Sequence, residues 1–205
     1  MNRLPVILFV SGLGLVIALM IILLSRDPGV NYAGDIQDQR MRKNEFMKND
    51  PASPFVKSGT ECKNLTYFEP DPAFRLKAKL VPFSMGETVR MKMNDGTFEV
   101  YAEYAVAYFE LQGGEHKLTI FSQPEDMNPK NLFLPFYDET SSVSTYGGGR
   151  YLEPEYSGGN EIVLDFNLAY NPYCAYVEGY ICPLPPPENR IDAEINAGEK
   201  NYKTD

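Results

Sequence analysis

Most of the side chains that could do chemistry in this chain fall after Tyr137. Asp138, Asp165, Glu188 and Glu199 supply four carboxylates, Arg150 a guanidinium, and Thr140, Tyr146, Asn167, Asn171, Asn189 and Lys200 a dense set of polar partners. Two carboxylates facing each other across a pocket would form a general acid/base pair, and an arginine beside them would hold an anionic substrate. The bland alternative uses the same residues to hydrogen-bond one another or to rim a binding pocket. The two differ in geometry. Paired carboxylates in a solvent-reachable hollow mean an enzyme, whereas carboxylates capped by backbone amides or by Arg150 mean structure. The expectation is that Arg150 pairs with Asp138 or Asp165, and the structural form of that pair is preferred.

Other mechanisms lack their signatures. The chain has no G-x-S-x-G, no G-x-x-x-x-G-K-S/T, no G-x-G-x-x-G opening a helix and no H-E-x-x-H. Its single histidine, His116, follows Gly113-Gly114-Glu115 at an expected hairpin turn, where a solvated side chain is the simpler reading. One His and three Cys exclude most metal sites built from those residues, so no metal or cofactor is assigned, although a carboxylate site for a hard cation stays open. Gly147-Gly148-Gly149 before Arg150 reads as a turn rather than a phosphate-binding nest. Cys174 and Cys182 bound a Pro- and Tyr-rich loop, and in an oxidising compartment a bond between them would stabilise the fold by roughly 2–3 kcal/mol. Cys62 is left over. The sequon Asn64-Leu65-Thr66 matters only in a glycosylating pathway.

With 28 acidic against 19 basic side chains, the formal net charge is −9. An acidic surface gains nothing from counterion release on a phosphate backbone, so no nucleic-acid partner is expected.

The elements that must position these residues divide the chain into four parts. Residues 1–4 are a short tail. Residues 5–24 carry no charge and would span about 30 Å as a helix, enough to cross a bilayer once, with no cleavage signal following. Residues 25–49 read as a juxtamembrane linker and a short helix over 32–48, whose narrow apolar face holds Tyr32, Ile36, Met41 and Phe46 and whose charged remainder is solvated. Residues 50–205 form one domain. Strict alternation over 74–80 and 89–93, an Asn94-Asp95-Gly96 turn, and further apolar segments at 97–101, 104–111, 117–122, 131–137, 161–166 and 190–195 predict strands. About eight or nine short strands with no helix between them point to an all-β antiparallel barrel or sandwich, preceded by the transmembrane helix and the short amphipathic one.

The run Asp138-Glu-Thr-Ser, Thr145-Tyr-Gly-Gly-Gly-Arg-Tyr-Leu152, Leu164-Asp-Phe-Asn-Leu-Ala-Tyr-Asn-Pro-Tyr-Cys-Ala-Tyr176, Cys182-Pro-Leu-Pro-Pro-Pro-Glu-Asn189 and Ala197-Gly-Glu-Lys200 resembles an uncharacterised bacterial and archaeal family catalogued as domain of unknown function 1684. The resemblance implies that the polar cluster is a family feature and that the N-terminal anchor is a local addition. It carries no activity with it. The expectation is therefore a single-pass membrane-anchored binding or scaffolding module of the cell envelope, with its soluble domain periplasmic or extracellular. The alternative is a hydrolase or lyase using a carboxylate acid/base pair, with Arg150 holding an anionic substrate.

Overall fold

The computed structural model describes residues 28–83, 87–125, 131–156 and 158–202. The span expected at 5–24 lies outside them, and among the described residues no helix is long and apolar enough to cross a membrane.

The first element, helix α1 (Pro28–Asn49), ends one residue beyond the expected 48. Its docking face differs from the expected one. Ile36 and Met47 are buried, but Met41 is 58% exposed. The face in contact runs through Tyr32, Ile36, Arg40, Lys43 and Met47, spaced by three and four residues as one side of a helix requires. Half of that face is polar. The Arg40 guanidinium donates to the Phe68 and Asn167 carbonyls at 2.7 and 3.0 Å, so the charged remainder is not simply solvated. Ser53, fully buried, then donates to the Met47 carbonyl at 2.5 Å and caps helix α2 (Pro54–Ser58) by accepting from Phe55 N.

Among the described residues the body is built from eight strands in two sheets. Strands β1 (Arg75–Pro82), β2 (Thr88–Lys92), β3 (Phe98–Leu111), β4 (Gly114–Ser122) and β7 (Glu161–Asp165) form an antiparallel five-stranded sheet. The expected strands at 97–101 and 104–111 are one 14-residue strand, because a bulge between Glu103 and Ala105 absorbs the apparent break. Both β2 and β1 pair with one edge of β3, against its first and second halves, while β4 lines the opposite edge. Strand β7 extends the sheet beyond β1. The expected alternation is present in β1, where Arg75, Lys77 and Lys79 face solvent and Ala78 and Leu80 are buried.

A second sheet holds β5 (Leu134–Asp138) between β6 (Arg150–Leu152) and β8 (Arg190–Ile191). The β5–β8 pair is parallel, so the fold is mostly rather than wholly antiparallel. Strand β8 stops at Ile191, well short of the expected 195. Beyond it, the Ile195 backbone hydrogen-bonds to Asp138 and Arg150 side chains. The sheets meet at Phe121 and Phe133, which exchange two 2.8 Å backbone hydrogen bonds. The principal core fills the space between with Phe109, Phe136, Phe166, Leu118, Ile120, Leu134, Leu164, Ile191 and Ile195. Phe136 meets Phe166 edge-on at 5.2 Å, a favoured aromatic geometry. His116 lies on β4 and stacks against Phe109 at 5.8 Å.

Candidate functional site

Arg150 is the largest fully buried side chain, and its partners define the first polar node. Its Nη2 donates to Asp138 Oδ2 at 2.8 Å and to the Ile195 carbonyl at 3.0 Å, while Nη1 donates to the Ala197 and Glu199 carbonyls. The other Asp138 oxygen accepts from Thr140 N at 2.7 Å, from the Thr140 hydroxyl and from Ile195 N. Thr140 in turn meets Thr145 at 2.8 Å. Burial pulls the guanidinium pKa down, and Asp138 beside it pushes back. The expected choice between Asp138 and Asp165 thus resolves to Asp138. Gly149 makes the delivery possible. Its φ is +85°, and a Cβ there would sit 2.5 Å from Pro185 Cγ and 2.8 Å from the Phe136 carbonyl oxygen. The glycine run is a close-packed turn.

Glu199 forms the second node, also 1% exposed. Oε1 accepts from Asn171 Nδ2 at 3.0 Å and from the Tyr176 hydroxyl at 2.6 Å; Oε2 accepts from Lys43 Nζ at 3.0 Å and from Asn171 N at 3.3 Å. Four donors on one carboxylate tie helix α1 to the chain around 171–176. Gly198, at φ +76°, brings the backbone so close to the Phe166 and Ala169 carbonyl oxygens that a Cβ would meet each at 2.7 Å.

The remaining expected residues separate. Asp165 pairs with Tyr32, whose hydroxyl donates at 2.7 Å, and with Arg75 at 3.5 Å. Asn167 fastens this corner by donating to Tyr32, Asp71 and Asp165 and accepting from Asp71 N. Asn189 stands in for a strand, accepting from Thr119 N and donating to the Thr119 and Pro135 carbonyls, each at 2.8 Å. Three residues do not belong. Glu188 is exposed, since the buried position is its neighbour Asn189. Lys200 turns away from the carboxylates and lies over the Phe68 ring at 4.7 Å.

Tyr146 leaves the cluster for the cysteines, its hydroxyl pointing at Cys174 Sγ from 3.8 Å. Cys174 and Cys182 lie together as thiols, with Cys174 N donating to Cys182 Sγ at 3.3 Å.

An aromatic hollow lies elsewhere. A cleft of about 620 Å³ opens between the C-terminal half of α1, the loop 170–183 and the ends of β3 and β4. Tyr101, Phe133, Tyr151, Tyr170, Tyr173 and Tyr180 line it. Rings contact rings: Phe133 on Tyr151 at 4.8 Å, Tyr151 on Tyr170 at 5.8 Å and Tyr173 on Tyr180 at 5.5 Å. Lys43 bridges the cleft to the second node, its Nζ reaching Glu199 and lying 4.3 Å above the Tyr170 ring. The Tyr170 hydroxyl donates to Glu153 at 2.7 Å, so the charged pair Lys43 and Glu153 sits on the same wall. None of these rings was singled out from the sequence. The available signal was the spacing of Tyr170, Tyr173, Tyr176 and Tyr180 within one loop.

Burial pushes the Tyr101 and Tyr146 pKa values up to about 12, and those of Tyr151, Tyr170 and Tyr176 further in the same direction. Unfolded tyrosine ionises near pH ~10, so the folded state keeps protons that the unfolded state loses above it. The stability these groups contribute is fully present below about pH 10 and is lost as the pH climbs towards 12. Lys43, whose pKa burial lowers, works in the opposite sense, as do Arg40 and Arg150 from a higher starting value, while Tyr32 and Tyr67 add to the tyrosines raised. The melting temperature should hold level to about pH 9.5 and then fall steeply, with Tyr101, Tyr146, Tyr151, Tyr170 and Tyr176, followed one by one by NMR, ionising only as the fold is lost. Ionisation of any of these five near pH ~10 in a still-folded protein would contradict the assignment.

Fold and site together define a mostly antiparallel β domain, braced by buried arginine and glutamate nodes and hollowed by an aromatic cleft. A model described as a protein of unknown function (DUF1684) matches residues 60–200, and the chain belongs to that family. It is similar to the solution structure of an uncharacterized protein from gene locus rrnAC0354 of Haloarcula marismortui, at 36% identity and a TM-score of 0.64. The match covers 84% of this chain and 95% of that one. No curated protein matches.

Proposed function

We propose that the protein is a binding module rather than an enzyme, and that its ligand is a small neutral molecule with a flat or cyclic framework held in the aromatic cleft. The observation that carries this reading is how the carboxylates are used. Asp138, Asp165 and Glu199 have both oxygens engaged by hydrogen bonds or ion pairs, and Arg150 is enclosed among Asp138 and three carbonyls. Asp165 does border a smaller hollow with Asp35, Glu153 and Glu155, but its oxygens are already engaged by Tyr32, Asn167 and Arg75. The hydrolase or lyase reading thus lacks a free acid/base pair with an accessible Arg150. The aromatic cleft offers what a ring recognises: a wall of aromatic side chains packed edge to face and one pair of opposite charges. The uncharged run at 5–24 supports tethering of the domain to a membrane, with the domain on the periplasmic or extracellular side as part of the cell envelope.

Thermal shift with a panel of ring compounds, including indole and methyl glucoside, tests the reading. A compound present at a hundredfold excess over its Kd stabilises by about 2.7 kcal/mol, or roughly 5–10 °C in Tm for a domain of this size. Tyr173→Ala, which removes one half-buried ring from the wall, should weaken that compound's affinity by about fivefold to tenfold with the fold intact. Unchanged affinity in Tyr173→Ala, or turnover abolished by Asp165→Asn, would count against it.

A further inference from the structure

We propose that Cys174 and Cys182 are a thiol–disulfide exchange couple, with Cys174 the attacking sulfur and Cys182 the resolving one, acting on low-molecular-weight disulfides. The geometry comes from two independently held pieces of chain. Cys182 is fixed to the turn after β2, its N–H donating to Asn94 Oδ1 at 2.9 Å and its carbonyl accepting from Asn94 N at 3.0 Å. Cys174 sits in a single helical turn, Tyr173–Ala175, closed by Ala175 N on the Pro172 carbonyl and Tyr176 N on the Tyr173 carbonyl. Neither anchor uses the sulfurs, yet they place the Cys182 thiol against both the N–H and the thiol of Cys174. A pair set in position before any bond forms is what reversible exchange requires.

The two sulfurs are unlike. Cys174 is part-exposed, and hydrogen bonds from Cys182, then from Tyr146, lower its pKa to about 7 against the opposing effect of burial. Cys182 is 6% exposed, and the same contact with Cys174, together with burial, drives its pKa up. One thiol is thus reachable and the other sheltered, and their shared contact favours the thiolate on the reachable one. Cys62 supplies an internal reference, being part-exposed too but with its pKa raised by burial. The partner class follows from access. Cys174 lies between Tyr146 and Cys182, so a disulfide reaching it needs a slim approach.

In the forward direction the Cys174 thiolate attacks one sulfur of R–S–S–R′, forms Cys174–S–S–R and expels R′S⁻. Cys182 then loses its proton, attacks the Cys174 sulfur and expels RS⁻. The small disulfide is reduced to two thiols, and the pair is oxidised to an internal disulfide by the same two electrons. Reduced thiol in excess runs the sequence backwards. Since Cys182 also borders the aromatic cleft, oxidation alters part of its wall.

Alkylation of the full chain by iodoacetamide at pH 7, followed by peptide mass mapping, should modify Cys174 at least about tenfold faster than Cys62. Oxidised glutathione should convert the wild-type protein to a form lacking two hydrogens and carrying no glutathione, reversed by excess reduced glutathione. Cys182→Ser should trap glutathione on Cys174, and Cys62→Ser should behave as wild type. Equal alkylation of Cys62 and Cys174, or a wild-type protein that retains glutathione without closing an internal bond, would overturn the proposal.

Discussion

Arg150→Ala destabilises the protein by about 4–5 kcal/mol, a large part of what a domain of this size has, and lowers its melting temperature by roughly 10–15 °C. The loss has two sources. Asp138 becomes a buried charge without its counterion, and the Ile195, Ala197 and Glu199 carbonyls lose their donor in a place water does not reach. Arg150→Lys falls in between, because one ammonium cannot span Asp138 on one side and the Ala197 carbonyl on the other as the planar fork does. Asp138→Leu combined with Arg150→Met removes the charge problem but leaves the three carbonyls unsatisfied, so it recovers only part of the stability. Urea and thermal melts of the four proteins measure this directly. Near-wild-type stability in Arg150→Ala would show that the node does not brace the fold.

Glu199→Gln is expected to cost about 2–3 kcal/mol even though it preserves shape. Lys43 Nζ, Asn171 N, Asn171 Nδ2 and the Tyr176 hydroxyl all donate to this side chain, and an amide nitrogen in place of one oxygen accepts from none of them. The effect is directional. Released from Glu199, Lys43 no longer holds its turn of α1, so amide exchange should quicken over 36–47 before it does in β3 and β4. Affinity for a ring compound should fall in the same variant, because Lys43 is part of the cleft wall and loses the contact that fixes its place there. Lys43→Met, which leaves the buried Glu199 carboxylate charged and without its counterion, should cost at least as much. If α1 exchanges no faster in Glu199→Gln than in wild type, the helix is held by its apolar contacts alone.

What could be read from the sequence depended on whether the partner was local. The β2–β3 hairpin was legible because Asn94-Asp95-Gly96 carries its own turn chemistry, with Asp95 accepting from Thr97 and Gly96 at φ +87°. The Asp138–Arg150 pair was legible for a related reason: the two are twelve residues apart, and three glycines precede the arginine. Asp165 was misjudged as its rival because its main partner, Tyr32, is 133 residues away on a helix read as half-solvated. That helix misled for a physical reason. Arg40 and Lys43 bury their stems and aim their heads at carbonyls and a carboxylate, so an amphipathic pattern defined by apolar residues alone picks Met41 and misses the true face. Glu188 and Asn189 show the limit of composition, since they are neighbours in one turn, closed by Asn189 N on the Pro186 carbonyl, and only one of the two enters the core. The cleft was invisible for the strongest reason. Its rings come from β3, the segment before β5, β6 and the loop 170–180, and only the packing of two sheets against α1 brings them together.

The claim that the polar nodes brace the fold while the aromatic cleft binds is tested most directly by chemical-shift mapping of the isotope-labelled full chain titrated with indole. Saturable shifts concentrated on Tyr101, Phe133, Tyr151, Tyr170, Tyr173 and Tyr180, with Asp138 and Arg150 unmoved, are the result expected. Shifts centred on Asp138, Arg150 and Asp165, or no saturable change along the cleft, would contradict it.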